Sequence, residues 1–526
     1  HCEQSMTTSR KIALLFGAEN INAIIGWIAL LLVARKIGAE ALGEFSYAMS
    51  LVGGFTFLAF FGFRMAHVKR VSEGLDLGKC IGTFLSIRLF LVSVMLVVFA
   101  FFYWLWTAPE IMYGIPFGKE FYDIKTDNLL LLVLLYYIIF LLIGVVRATF
   151  SGLEQSAKVA IPNVVGTTVR SFLFIYTAFQ VSSGDIDPTK GVFWLAISQL
   201  AGIVITSLMS LWYFRDYPIS KPDKETFNSY KVFAFPVAAA SIFGVLRQHI
   251  DKILVGIFWT ATDVGLYFGV QRIALFIGTM ALAIEEMLLP SVSKIHSSSG
   301  NKEIKPLIYD AERYVAMVCI PIVAMTVIWS REIIEVFISR EFLSATRILQ
   351  FLALAALVRV VNRPWSIALR GSDRPDLTSI INIFSSIINI LLMLILVPKQ
   401  IPQLGLNDLP GMGGEGAALA LLISEIILGI SLRFLCYSFL ELKPQLHFFL
   451  QLFFAIIIGI IMWQIQDTVD VNRWYELFMF SALGGLLYIF ILATVGIFNK
   501  KDFFFFWNVV NPKAMTDYVG DELKRK

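Results

Sequence analysis

Asn128-Leu-Leu-Leu-Leu-Val-Leu-Leu-Tyr-Tyr-Ile-Ile-Phe-Leu-Leu-Ile-Gly-Val-Val-Arg-Ala-Thr-Phe150 is the stretch that decides the fold. Crossing the hydrocarbon core takes about 20 mostly apolar residues in a helix, and this run supplies them with Arg147 as its one charge. It does not alternate apolar with polar residues, as a strand of a membrane barrel would. A helix satisfies its own backbone hydrogen bonds in lipid, so a helix is the expected spanning element.

The same rule applied outward gives fourteen spans. Six precede residue 221, near Ile12–Ala34, Phe45–Phe63, Cys80–Trp106, Asn128–Phe150, Val159–Phe179 and Val192–Phe214. Six more follow, near Val232–Phe258, Gly265–Leu289, Ala311–Trp329, Ala345–Leu369, Leu377–Val397 and Gly416–Cys436. Two close the chain, near Phe448–Ile465 and Tyr475–Phe498. The first is too long for the core of a cleavable signal peptide and is read as a span. The composition agrees: 57% of the 526 residues are hydrophobic and 16% charged, where a soluble chain carries about 25% charged residues. So much apolar surface has to face lipid. The chain is expected to be an all-α, polytopic membrane protein.

A net charge of +4, spread over short loops without a basic and aromatic tract, argues against nucleic acid. Cys2, Cys80, Cys319 and Cys436 are too scattered for a metal pair or a disulfide framework. Orientation follows from Lys and Arg in the short loops. With a cytoplasmic N-terminus, roughly 25 such residues fall inside against roughly 10 outside. An even number of spans then puts both termini in the cytoplasm of a cell (plasma) membrane protein. No loop is long enough for a separate soluble domain.

The chain also repeats. Val33-Ala-Arg-Lys-Ile-Gly-Ala-Glu-Ala-Leu-Gly-Glu-Phe45 joins spans one and two, and Val255-Gly-Ile-Phe-Trp-Thr-Ala-Thr-Asp-Val-Gly-Leu-Tyr267 joins spans seven and eight. They align Ala39 with Ala261, Gly43 with Gly265 and Phe45 with Tyr267. Further matches keep the order: Ser151-Gly152 through Asn163 with Arg370-Gly371 through Asn382, and Ser198-Gln199 with Ser424-Glu425. Six spans repeated from the same side make a parallel repeat, which in transporters places the substrate path between two lobes. The expected division is one lobe over 1–220, a second over 221–440, and two additional helices with a tail over 441–526.

These residues resemble a family. Phe235-Pro236, then Ile250-Asp251-Lys252-Ile253-Leu254-Val255-Gly256, then Asp263-Val264-Gly265-Leu266-Tyr267 are similar to the middle segment of polysaccharide flippases. Those belong to the multidrug/oligosaccharidyl-lipid/polysaccharide (MOP) exporter superfamily. Leu32-Val33-Ala34-Arg35 through Gly43-Glu44-Phe45-Ser46 is similar to their first hairpin, and Gly414-Glu415-Gly416-Ala417-Ala418-Leu419-Ala420 to the start of their twelfth span. The ordered set covers nearly the whole chain. The resemblance implies two six-helix lobes forming a V, and transfer of a lipid-linked sugar repeat unit from the inner to the outer leaflet. A cation-coupled multidrug exporter of the same superfamily is the alternative. A membrane glycosyltransferase or ligase is a third.

Such a cargo sets a physical problem. Its prenyl tail is at home in hydrocarbon, but bare charge in the bilayer core is costly. Cations fixed along a watery groove lower that cost, and arginine pairs with phosphate through a two-donor fork while staying protonated. Six arginines lie within spans: Arg88, Arg170, Arg247, Arg272, Arg359 and Arg363. Arg359 and Arg363 share a helix face. Taken as a set they are expected to line a phosphate-binding cavity. Taken singly, each also reads as a structural ion pair, and Arg88 and Arg272 as snorkelling groups.

Acidic groups within spans are Glu19, Asp251, Glu285, Glu286 and Glu425. Glu19 stands beside Asn20 and Asn22 without a local cation, and is a candidate for Na+ or H+ coupling. Asp251 is a second, though four residues after Arg247 it is expected to pair with that arginine. Pro236, Pro321 and Pro364 permit bends within spans. Asn382 and Asn389 share a face suited to helix contacts or sugar hydroxyls. Asp185-Ile186-Asp187 has the spacing of a glycosyltransferase metal site, but Pro188 follows and favours a turn. No phosphate-cradling glycine loop, catalytic triad or zinc spacing appears. No cofactor or metal is expected, and energy has to come from a gradient or from consumption of product. The expected partners are the lipid-linked oligosaccharide and the bilayer. The chain is expected to act as a monomer beside polysaccharide-assembly enzymes.

Overall fold

The structure is a computed structural model and describes residues 21–108, 127–299, 304–372, 374–466, 468–469, 471, 473–500 and 502. The described residues form helices joined by short turns, with one isolated β-bridge between Ile401 and Leu406.

Helix α1 covers residues 21–37. The first half continues with α2 (Ala39–Phe55), α3 (Phe63–Ser72), α4 (Leu77–Trp106), α5 (Asp127–Gly152), α6 (Ser156–Ser182) and α7 (Pro188–Phe214). The second half runs through α8 (Lys224–Phe258), α9 (Ala261–Ser299), α10 (Ile304–Ile328), α11 (Ser330–Phe337), α12 (Thr346–Gly371), α13 (Pro375–Leu396) and α14 (Gly413–Leu440). Helices α15 (Leu446–Gln466) and α16 (Trp474–Thr494) follow, both packed on α10. Among the described residues ten helices are long and apolar enough to cross a membrane, or twelve when two sharply bent pairs are counted as spans. Over the described residues the expected spans fall on helices, the second of them on a bent pair.

Exposure is reversed relative to a water-soluble protein. Phe90, Phe172, Leu208, Ile430 and Phe490 are exposed, while His67, Arg88, Asp251, Lys252, Glu312 and Glu425 are buried. Apolar side chains outward and paired charge inward is the arrangement lipid demands. The protein is therefore a multi-pass membrane protein. Cys80, Cys319 and Cys436 are buried.

The two broken spans have identifiable causes. The second expected span turns by 55° between Ala59 and Phe63, where Gly62 adopts the left-handed φ of 74° that glycine tolerates best. Arg88 of α4 donates to the Ala59 carbonyl at 2.7 Å and so satisfies a group the break leaves without a helical partner. Helix α8 bends by 61° between Phe235 and Ala238; the sequence puts Pro236, which has no N–H to give the helical ladder, in that interval.

The halves meet where the repeat aligned its glycines. Helices α2 and α9 cross with Gly43 and Gly265 face to face. A Cβ on Gly43 would stand 1.7 Å from the Ala261 carbonyl oxygen, and one on Gly265 would stand 1.8 Å from that of Ala39. Beside the crossing, Glu341 accepts from the Ala39 N–H at 2.8 Å and Arg35 donates to the Val336 carbonyl at 3.1 Å. Both bonds join the first half to the second.

Candidate functional site

Five of the six span arginines come together. Arg170 from α6, Arg247 from α8, Arg272 from α9 and Arg359 and Arg363 from α12 line one cavity of about 850 Å³, with Lys252 beside them. Aromatic and amide-bearing residues share the wall, among them Trp27 of α1, Tyr136 and Tyr137 of α5, Gln199 of α7, and Gln248, His249 and Gln271, together with Asp251 and aliphatic side chains. Phe174 and Phe268 sit among the arginines, and the Arg272 guanidinium lies 4.4 Å from the Phe268 ring centroid.

Arg88 departs from the expected set. It is not among the lining residues. It is 3% exposed, donates to Ala59 as described, and lies over the rings of Phe60 and Phe84. It neither snorkels nor faces the cavity, because the broken backbone of the second span takes it up.

The expected Arg247–Asp251 pair is also corrected. Asp251 Oδ1 accepts from Lys252 Nζ at 2.8 Å, and its Oδ2 from Gln271 Nε2 at 2.9 Å. Arg247 reaches instead across to Glu425 of α14. Arg359 Nε donates to the same oxygen, Glu425 Oε1, at 2.8 Å. One carboxylate, 1% exposed, thus holds two guanidiniums from two other helices. Asn362 fixes it from behind, donating to the Glu425 carbonyl at 3.1 Å and accepting from Arg433 at 2.7 Å. Arg433 pairs in turn with Glu312, which also accepts from Trp365 Nε1.

Two of the other guanidiniums contrast with these. Among the described residues Arg170 and Arg272 have no carboxylate partner, and the Nε of each is buried without an acceptor. The cavity therefore holds two arginines that share one carboxylate and two, one from each half, without a carboxylate partner among the described residues. Inside a poorly screened cavity, unmatched cations raise the local affinity for an anion.

Other expected residues fall as follows. Glu19 lies outside the described residues; Asn22, three positions on, lines the cavity. The side chains of Glu285 and Glu286 are also outside the description. Asn389 lines the cavity and donates to Ser424 Oγ at 3.2 Å, a bond between α13 and α14. Asp187 caps α7, accepting from the Thr189 amide at 2.9 Å and hydroxyl at 2.5 Å. Those bonds hold its carboxyl below the usual carboxylate range. That is the turn expected from Pro188. Among the described residues no group of three His, Cys, Asp or Glu is placed to hold a metal.

The role of Glu425 was not legible, since its partners are 178 and 66 positions away. The usable hint was the repeat: Gln199, which Ser198-Gln199 aligns with Glu425, lines the cavity that Arg247 and Arg359 share.

Comparison with known proteins agrees with this architecture. The chain is 23% identical over 487 residues to the probable low-salt glycan biosynthesis flippase Agl15 of Haloferax volcanii, covering 92% of this chain and 95% of that protein. The solved lipid II flippase MurJ in its inward closed conformation superposes with a TM-score of 0.71 at 18% identity, over 92% of this chain and 100% of that one. An inward-facing multidrug resistance MATE family transporter of the MOP superfamily gives 0.59 at 13% identity, over 80% of this chain and 95% of its own. The MatE family model matches residues 236–395, and the polysaccharide biosynthesis protein model matches residues 9–296, more than half of the chain. The chain belongs to the polysaccharide biosynthesis protein family and has the fold of the MOP superfamily transporters.

Proposed function

We propose that this protein is a flippase, a transporter and not an enzyme, which moves a prenyl-(pyro)phosphate-linked oligosaccharide from the cytoplasmic to the outer leaflet for surface glycan assembly. The observation that carries the reading is the cavity lined by Arg170, Arg247, Arg272, Arg359 and Arg363. A phosphate with its prenyl tail in lipid and its sugars in the cavity meets fixed guanidinium donors there, and the tyrosines, amides and Trp27 offer stacking faces and hydrogen bonds to sugars. The name of Agl15 as a glycan biosynthesis flippase supports the same cargo class.

On this reading the lobes 1–220 and 221–440 rock so that the Gly43–Gly265 crossing closes and parts, while 441–526 travels with the second lobe. The protein sits in the plasma membrane with both termini cytoplasmic, as a monomer beside polysaccharide-assembly enzymes. It needs no bound cofactor, and Na+ or H+ coupling through Glu19 or Asp251 belongs to the same proposal. The multidrug exporter reading shares the fold, but the surplus of cations in the cavity disfavours cationic drugs. The ligase reading loses its Asp-x-Asp site to helix capping.

The test is reconstitution. Proteoliposomes carrying a prenyl-diphosphate-linked oligosaccharide should expose it to an external lectin faster than protein-free vesicles, and Arg170→Ala should abolish the gain. Export of a cationic dye without movement of the lipid-linked sugar would refute the proposal in favour of the exporter.

A further inference from the structure

Glu425 is placed to do more than anchor a helix. It is buried and its Oε1 is shared by Arg247 and Arg359. Its Oε2 is buried too and has no partner among the described residues. The charge of that oxygen is therefore felt by whatever else occupies the poorly screened cavity. Both arginines keep further donors at the cavity wall: side-chain exposure is 20% for Arg247 and 34% for Arg359. An anionic cargo reaching them has to compete with a carboxylate already seated there. Arg170 and Arg272, without a carboxylate among the described residues, present no such competition.

We infer that Glu425 is a built-in competitor of the cargo's phosphate for Arg247 and Arg359. The phosphate is met first by Arg170 and Arg272. It can spread onto Arg247 and Arg359 only as these loosen from Glu425, and it leaves when they return. This rests on the reading above that the cargo carries a phosphate. The physical need is release: a cavity of uncompensated arginines would bind an anion tightly and turn over slowly, because tight ground-state binding does not speed the following step. The repeat supplies an internal control. The position aligned with Glu425 is Gln199, a neutral amide at the cavity wall, so a glutamine is compatible with this place in the fold. Glu425 acts through the two arginines and is a positioning residue.

A purely structural anchor and a competitor differ in sign. Loss of an anchor weakens binding and transport together. Loss of a competitor tightens binding and slows transport. The experiment is calorimetric titration of the purified full chain in detergent with farnesyl monophosphate, paired with flipping in proteoliposomes. Glu425→Gln should bind the probe about tenfold more tightly and flip more slowly. Combining Glu425→Gln with Arg359→Gln, which removes one charge of each sign, should return affinity toward that of the unaltered protein. Should Glu425→Gln fail to fold, Glu425→Asp keeps the charge but reaches only one guanidinium, and an intermediate tightening is expected. Folded variants that bind with unchanged or weaker affinity, while the unaltered protein binds, overturn this inference alone. Absence of binding by the unaltered protein and by every variant overturns the phosphate reading and this inference with it.

Discussion

Gly43→Ala should open the face on which α2 and α9 cross. The new Cβ would lie 1.7 Å from the Ala261 carbonyl oxygen, against the 3.4 Å where ordinary contact begins. The obstacle is backbone, which has no rotamer to turn away, so the helices have to part by about the missing 1.7 Å. Overpacking of this kind costs about 1–3 kcal/mol. The strain exists only while the crossing is closed, so it acts on the closed–open equilibrium. A bias of about 2 kcal/mol shifts that ratio about 30-fold. The readout is an Ala356→Cys reporter on the cavity wall, in a background without native cysteines. It is labelled by a membrane-impermeant maleimide from the side that the charge bias places outside. Labelling should quicken by up to that factor while flipping slows. Adding Gly265→Ala should change little more, because one separation relieves both contacts, and coupled neighbours are not additive. Unchanged labelling in Gly43→Ala, or full additivity in the double variant, would refute the crossing as a single closing contact.

Further outcomes follow from the site. Arg272→Ala should abolish most flipping and Arg272→Lys restore part of it, since the charge returns without the planar fork; equal activity of the two variants would argue against a forked phosphate contact. Arg88→Met should cost about 1–3 kcal/mol in stability by leaving the Ala59 carbonyl unpaired, read as a lower thermal midpoint, with little loss of flipping per folded molecule. Asp187→Ala should lower the thermal midpoint, since it removes the cap of α7. Because Asp187 is held below the usual carboxylate range when folded, its stabilising effect is present above the unfolded pKa of about 4 and is lost as pH falls through the folded value. The difference between Asp187→Ala and the unaltered protein should therefore shrink in acid.

Much of the fold was legible because lipid imposes a length and a polarity on every crossing segment. The apolar runs marked where helices lie, and the repeat paired Gly43 with Gly265 before either was seen to touch the other half. Arg359 and Arg363, one turn apart on α12, were expected on one face and do line the cavity together. The Asp187–Pro188 turn was legible because capping is a matter of two or three neighbouring residues. Arg88 was misassigned because what it binds, the Ala59 carbonyl, is set free by a helix break 29 positions away. Local spacing favoured Asp251 for Arg247, yet Glu425 took the arginine.

The sequence by itself determined that the chain is a multi-pass membrane protein with arginines carried into its spans. Desolvation makes such charges rare unless they face one another or a wet cavity, so their presence alone marked the interior. Only the tertiary structure decided which charges meet. Lys252 took Asp251, Arg247 and Arg359 share Glu425, and Arg170 and Arg272 have no carboxylate partner among the described residues. A helix registers its own neighbours at three or four residues, but an ion pair between helices depends on how far each is rotated and shifted against the next. That is settled by packing such as the glycine crossing of α2 and α9, and not by any local pattern.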